Sequence, residues 1–155
     1  MSQQITTKDP GEVARAVAAG VSRLVAGGLT PAEREHQLDE LAELYGEETD
    51  VRHPFDPTGD VPMRTRAALR EHFAAARMDG VEHFEPVDAV VHVTADPEVV
   101  VFEFAYAISA HGTDSLVPCI FVIRVRDGRI VESRDYAHHL AMARALGVPA
   151  PSARP

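Results

Sequence analysis

Near Gly80 the spacing of apolar residues switches from helical to alternating, and this switch limits the fold more than any other feature of the chain. Before it, Val13, Val17, Val21, Leu24 and Val25 recur at helical spacing and stop at Gly27-Gly28. Leu38, Leu41, Leu44 and Tyr45 make a second stripe ended by Gly46, and Leu69, Phe73 and Ala76 make a third that ends near Gly80. Asp9-Pro10-Gly11-Glu12 and Thr30-Pro31-Ala32-Glu33 both read as helix starts: a capping residue, a proline at the first helical position, and an acid three residues after the cap. Val51 to Phe55 is a short strand candidate that Pro54 confines to an edge or a strand end, and a turn-rich loop follows from Asp56 to Pro62. After the switch, Val87–Thr94, Val99–Ala110 and Leu116–Arg126 are rich in Val, Ile, Phe and Tyr, separated by turns at Asp96-Pro97 and His111-Gly112. Asp127-Gly128 suits a type I′ turn, which needs positive φ at both central residues, so a further strand follows it. His138–Leu146 reads as a final helical turn or two.

Helices followed by an antiparallel meander make an α+β arrangement in which the N-terminal helices cover the concave face of a curved sheet. The expected shape is a cone with a pocket. It forms one domain over residues 1–147, with a Pro/Ala-rich flexible tail at 148–155. Period-two alternation puts Val100, Phe102, Phe104, Tyr106 and Ile108 on one side of their strand, and Cys119, Phe121, Ile123 and Val125 on one side of the next. In the last strand Val131, Ser133 and Asp135 share a face. Asp135 is then either a carboxylate held over an apolar floor, where burial shifts a pKa into a range useful for proton chemistry, or a solvated strand-end group.

Charge and cysteine content exclude several functions. A net charge of -9 argues against nucleic acid or an anionic membrane as partner, because phosphate attraction needs clustered Lys and Arg. No apolar run approaches membrane-spanning length and the N-terminus lacks a signal-peptide pattern, so a soluble cytoplasmic protein is expected. Cys119 is the sole cysteine, which rules out an intramolecular disulfide, and its apolar setting reads as a buried inert thiol. His138-His139 has no ligand-spaced carboxylate or histidine around it, so no metal site is expected.

Several short motifs, taken in order, carry a resemblance. They are Leu44-Tyr45-Gly46-Glu47-Glu48, Val51-Arg52-His53-Pro54, Arg66-Ala67-Ala68-Leu69-Arg70-Glu71-His72-Phe73, and Gly128-Arg129-Ile130-Val131 with Arg134-Asp135-Tyr136. From Val13 to Leu146 the chain resembles the nuclear transport factor 2-like superfamily, the cone-shaped fold of ketosteroid isomerase, limonene epoxide hydrolase and the SnoaL-like polyketide cyclases. The resemblance implies a homodimer paired through the convex sheet face. In the isomerase the proton-shuttling Asp precedes the Pro of the first strand, and His53 stands there in this chain. Its oxyanion donors fall near Gly20 or Val21 and on Phe121 or Ile120, so that hole is absent. The epoxide hydrolase's Arg and Asp fall on Phe104 and Tyr106, and only its last Asp is matched, by Asp135. The cyclases' basic Asp matches Asp135, their neighbouring His falls on Phe121, and their usual Asp two residues after the Tyr is His138.

These matches imply a cofactor-independent isomerase or cyclase that works by general acid–base chemistry on a small hydrophobic carbonyl compound, and is neither a standard ketosteroid isomerase nor a limonene epoxide hydrolase. The alternative is a non-catalytic small-molecule-binding or accessory protein using the same apolar cone. The expected catalytic groups are His53, Asp135 and Tyr106. Tyr45, Phe55, His72, Phe73, Phe102, Phe104, Cys119, Phe121, Ile123 and His138 are the expected ligand contacts. The three phenylalanines of the long strands could equally be plain core, and His53 could be a strand-end histidine facing water.

Overall fold

A computed structural model describes residues 8–76 and 79–149. Of the tail expected at 148–155, residues 150–155 lie outside the described residues. The elements run α1 (Pro10–Val25), α2 (Pro31–Ala42), β1 (Tyr45–Arg52), β2 (Met63–Thr65), α3 (Arg66–Ala75), β3 (Val81–Val93), β4 (Val99–Ala110), β5 (Thr113–Arg126), β6 (Arg129–Ala137) and α4 (His139–Leu146). Both N-terminal helices start where their caps indicate. Asp9 Oδ1 accepts from the Glu12 amide at 2.9 Å, and Thr30 and Glu33 form a reciprocal capping box.

One six-stranded sheet of order β2-β1-β6-β5-β4-β3 forms a curved wall that α1 and α3 cover. The core lies between them, and Val13, Val17 and Leu24 of α1 are buried against Phe102, Phe104 and Ile108 of β4. Layer thickness is set partly by Gly20, because a Cβ there would lie 2.8 Å from Leu41 Cδ1 and hold α2 away from α1. The Asp127-Gly128 turn has φ of 52° and 76°, both positive as type I′ demands.

Three differences from the sequence expectations shape the site. The sheet is not wholly antiparallel, because β1 runs parallel to β6 with Val51 opposite Ser133 and Arg52 opposite Arg134. Leu44, Tyr45 and Gly46 do not extend the second helix. Tyr45 instead begins β1 opposite Ile130, and the Leu44 carbonyl accepts the Ile130 amide at 2.8 Å, so pairing with β6 overrides the helical spacing. Third, Val131 is a bulge residue: β5 advances one residue from Val125 to Arg124 while β6 advances two from Ile130 to Glu132. The extra residue flips the phase, so Ile130, Ser133 and Asp135 are buried and Val131 leaves their face.

Candidate functional site

The parallel pairing of β1 with β6 builds the site. Continuing the register past Arg52 and Arg134 brings His53, the first residue beyond β1, beside Asp135. His53 Nε2 and Asp135 Oδ2 lie 3.5 Å apart, and the two side chains are 22% and 13% exposed. That separation is long for a direct hydrogen bond and short for an electrostatic pair, as an unliganded acid–base site often is. The Asp60 carboxylate anchors the His53 backbone amide at 3.0 Å, and the Ser133 hydroxyl donates to Asp135 Oδ1.

The pair opens onto a cavity of about 350 Å³ between α1, α3, α4 and the sheet. Val17, Val21 and Val25 of α1, Leu69 and Phe73 of α3, and Phe84 of β3 form an apolar wall. Deprived of water on that wall, the Asp135 carboxyl is raised to about 7, against the opposing Ser133 hydrogen bond and the Arg134 charge. Burial acts in the opposite sense on His53, whose pKa is lowered, with a further push from His139. Burial therefore favours the uncharged form of each group, a protonated carboxyl beside a neutral imidazole, over the ion pair.

Two phenols complete the polar set. Tyr45 and Tyr106 both line the cavity, and burial raises both well above 10, with the Asp135 charge adding to the rise in each. Both therefore keep their protons across any working pH. Tyr106 is held by Phe84 at 4.5 Å and edge-on by Phe104 at 4.9 Å between ring centres.

The remaining expected contacts divide. His72, Phe73 and Phe121 line the cavity, and the His72 ring lies 5.3 Å from that of His53. Phe102, Phe104 and Ile123 do not line it. They are 1%, 3% and 1% exposed and fill the cone beneath the cavity, with Phe102 and Phe104 stacked at 4.7 Å. Cys119 is also outside the cavity lining, with a buried thiol pushed up to about 12 and directed at the Val117 carbonyl. Phe55 points outward, 67% exposed, and packs edge-on against Tyr136. His138 caps α4, its Nδ1 accepting the Ala141 amide at 3.1 Å.

Two polar cavity residues, Asp56 and His139, are not among the expected site residues. Asp56, in the loop after β1, faces the histidines. Burial pushes its carboxyl up, but hydrogen bonds from Thr58 outweigh this and lower its pKa. His139, the first residue of α4, lines the cavity with its ring 6.2 Å from that of His53. His139 sits in a dipeptide with no ligand-spaced partner in sequence, and only the turn of the chain after β6 brings it to the cavity. Among the described residues, no three His, Cys, Asp or Glu side chains are disposed to hold one metal ion.

Comparison with known proteins agrees with this architecture. The family model for the SnoaL-like domain matches residues 25–133. A candidate isomerase from Bacillus subtilis is 23% identical, with a TM-score of 0.68 over 92% of this chain and 94% of that one. A phenazine biosynthesis-related protein from Pseudomonas aeruginosa is 19% identical, with a TM-score of 0.57 over 93% of each chain. A candidate polyketide cyclase from Pseudomonas putida is 16% identical, with a TM-score of 0.60 over 90% of this chain and 98% of that one. At such identities these structures share the fold, and the fold hosts enzymes and binders alike. No curated protein sequence matches the chain.

Proposed function

The chain belongs to the SnoaL-like domain family, and on that premise we propose that it is a cofactor-independent isomerase or cyclase that moves a proton on a small apolar carbonyl compound. The observation that carries this reading is a buried carboxyl raised to about 7 beside an imidazole, at the edge of an apolar cavity. A C–H next to a carbonyl is acidic enough for such a base when the enolate is stabilised. In the proposed step the His53–Asp135 pair takes that proton, and the electron pair of the broken C–H bond moves through carbon onto the carbonyl oxygen. Tyr106 and Tyr45, both neutral, can donate to the oxygen as charge develops. Returning the proton at a second carbon gives an isomerase; attack of the enolate carbon on a second carbonyl gives a cyclase.

Exchange of the α-protons of 2-tetralone in D2O, followed by NMR, tests the step without requiring the natural substrate. His53→Ala and Asp135→Asn are each expected to slow enzyme-catalysed exchange by about 10²–10⁴-fold with the fold retained. Wild-type exchange rates in both variants would sink the proposal. The rate should also rise with pH through a midpoint near 7, as Asp135 gives up its proton.

The apolar cavity wall also suits a binding or accessory protein that holds a small hydrophobic molecule without turning it over. Native mass spectrometry separates the two readings. A co-purifying apolar molecule that survives both substitutions and leaves unchanged favours the binder.

A further inference from the structure

Ser133 is buried and polar, and the proposed proton transfer gives it no part. It is 3% exposed and stands on β6 two residues before Asp135, so both side chains point to the inner face of the sheet. Its neighbours across the sheet are Val51 of β1 and Ile123 of β5, both apolar and each 1% exposed. A hydroxyl set between them has lost water, which is costly unless a partner in the protein replaces it. Among the described residues the hydroxyl has one such partner, Asp135 Oδ1.

That contact makes the two carboxyl oxygens unequal. Oδ1 accepts the Ser133 proton, and Oδ2 lies 3.5 Å from His53 Nε2. The other groups around Asp135 do not hold it in this way. Tyr45 on β1, Tyr106 on β4 and Cys119 on β5 sense its charge, and His72 of α3, His139 of α4 and Asp56 of the loop share its cavity, to which α1 brings only valines. Arg134, next in the strand, turns away and binds the Asp50 carbonyl at 2.9 Å and its carboxylate at 3.2 Å. Among the described residues, Ser133 is therefore the one side chain that hydrogen-bonds the Asp135 carboxyl and fixes its rotation.

We infer that Ser133 is a positioning residue for the proposed base: its hydroxyl, seated on Asp135 Oδ1, turns Oδ2 toward His53 and leaves Oδ2 as the oxygen that takes and returns the substrate's proton. This deepens the proposed function by naming what orients and tunes its carboxyl, and it rests on that reading for the identity of the base. A hydroxyl can donate to Oδ1 whether Oδ2 is protonated or bare, but it binds the charged form more strongly. Ser133 thus opposes burial and keeps the Asp135 midpoint from moving further above neutrality.

The test follows the Asp135 carboxyl carbon by NMR through a pH titration of the full chain, alongside the pH profile of 2-tetralone exchange. Ser133→Ala is expected to move the Asp135 midpoint up by about one pH unit and to carry the rising limb of the exchange profile with it, so that exchange on that limb, at about pH 6, falls about tenfold. Ser133→Thr and Ser133→Val, equal in shape and differing by the hydroxyl, repeat the comparison should the Ala variant fold poorly, and only Val should show the shift. A midpoint that stays in place without the hydroxyl would overturn the inference. So would a loss of exchange that is equal at every pH, the mark of a residue that only packs, or a Thr variant that behaves as the Val variant does. NMR reads the carboxyl without turnover, so the two proposals fail separately. A wild type that leaves 2-tetralone unexchanged, with the midpoint still shifted in Ser133→Ala, keeps the hold of Ser133 on Asp135 and loses the reaction. Exchange at the wild-type rate in Ser133→Ala, with no shift, keeps the reaction and loses the role of Ser133.

Discussion

Burial lifts the Asp135 carboxyl to about 7, against the pull of the Ser133 hydroxyl and the Arg134 charge. In the unfolded chain the same group titrates near 3.9. Between these values the folded protein holds a proton that the unfolded chain has released, so Asp135 costs stability as pH rises from about 4 through about 7. His53 and His72 have the opposite sign. Burial depresses both below 6.5, so the unfolded chain takes up protons first and stability is lost as pH falls through their range. The opposing slopes partly cancel in the wild type, and substitution separates them. Asp135→Asn should gain stability relative to wild type between pH 4 and pH 8, by at most about 4 kcal/mol. Urea melts of both proteins at several pH values read the difference directly, and a gap that stays constant with pH would mean that the carboxyl is not held in apolar surroundings. The sequence pointed to Asp135 through strand alternation, although the Val131 bulge means that Ile130, not Val131, is its inward companion. His53 came only from the resemblance, because its contact with Asp135 depends on a parallel strand pair that no periodicity reveals. His139 was not legible, because its place at the cavity depends on how the chain turns after β6.

Helix ends as well as helix faces hold the layers of this protein in place. Arg34 of α2 donates to the Leu24 carbonyl near the end of α1 and to the Ala74 and Ala76 carbonyls at the end of α3. These carbonyls have lost their intrahelical partners, so one guanidinium joins three helices by satisfying groups that would otherwise need water. Ala76 also lines the cavity, which links the clamp to the site. Arg34→Ala is therefore expected to cost about 1–3 kcal/mol and lower the melting temperature by several degrees. Arg34→Lys should recover little, because an ammonium cannot reproduce the planar fork. A scanning-calorimetry midpoint unchanged in Arg34→Ala would show that the clamp holds nothing. Caps and turns were the most legible elements. Asp9, Thr30 and Asp127-Gly128 each act locally through their own backbone, so a few residues suffice to place them. Strand ends were less so. The strand expected at Val51–Phe55 runs from Tyr45 to Arg52, because its extent is set by the partner β6 and not by its own composition.

Across the whole molecule, the sheet face opposite the helices is more apolar than a solvated face requires. Leu116 and Ile120 of β5 are 63% and 41% exposed, and Phe55 lies nearby on the ring of Tyr136. At one end of this face Arg124 meets Asp96, Glu98 and Glu132, and Glu103, which stands across from Ile120, is paired with His92. Next to it Ala105 lies opposite Pro118 and Ala107 opposite Leu116, and the two alanines let another sheet approach closely. We propose a second copy of this chain as the occupant, in line with the homodimer that the family resemblance implies. Two chains of net charge -9 repel one another, and salt screens that repulsion while leaving apolar burial in place. Association should therefore strengthen as ionic strength rises, the reverse of a pairing held by ion pairs. Light scattering on a size-exclusion column is expected to give twice the 16.8 kDa chain mass, and Ile120→Glu, which sets a carboxylate in the middle of the face, should return the single-chain mass with the fold intact. A wild-type protein that elutes at the single-chain mass at all salt concentrations would leave the outer face to water.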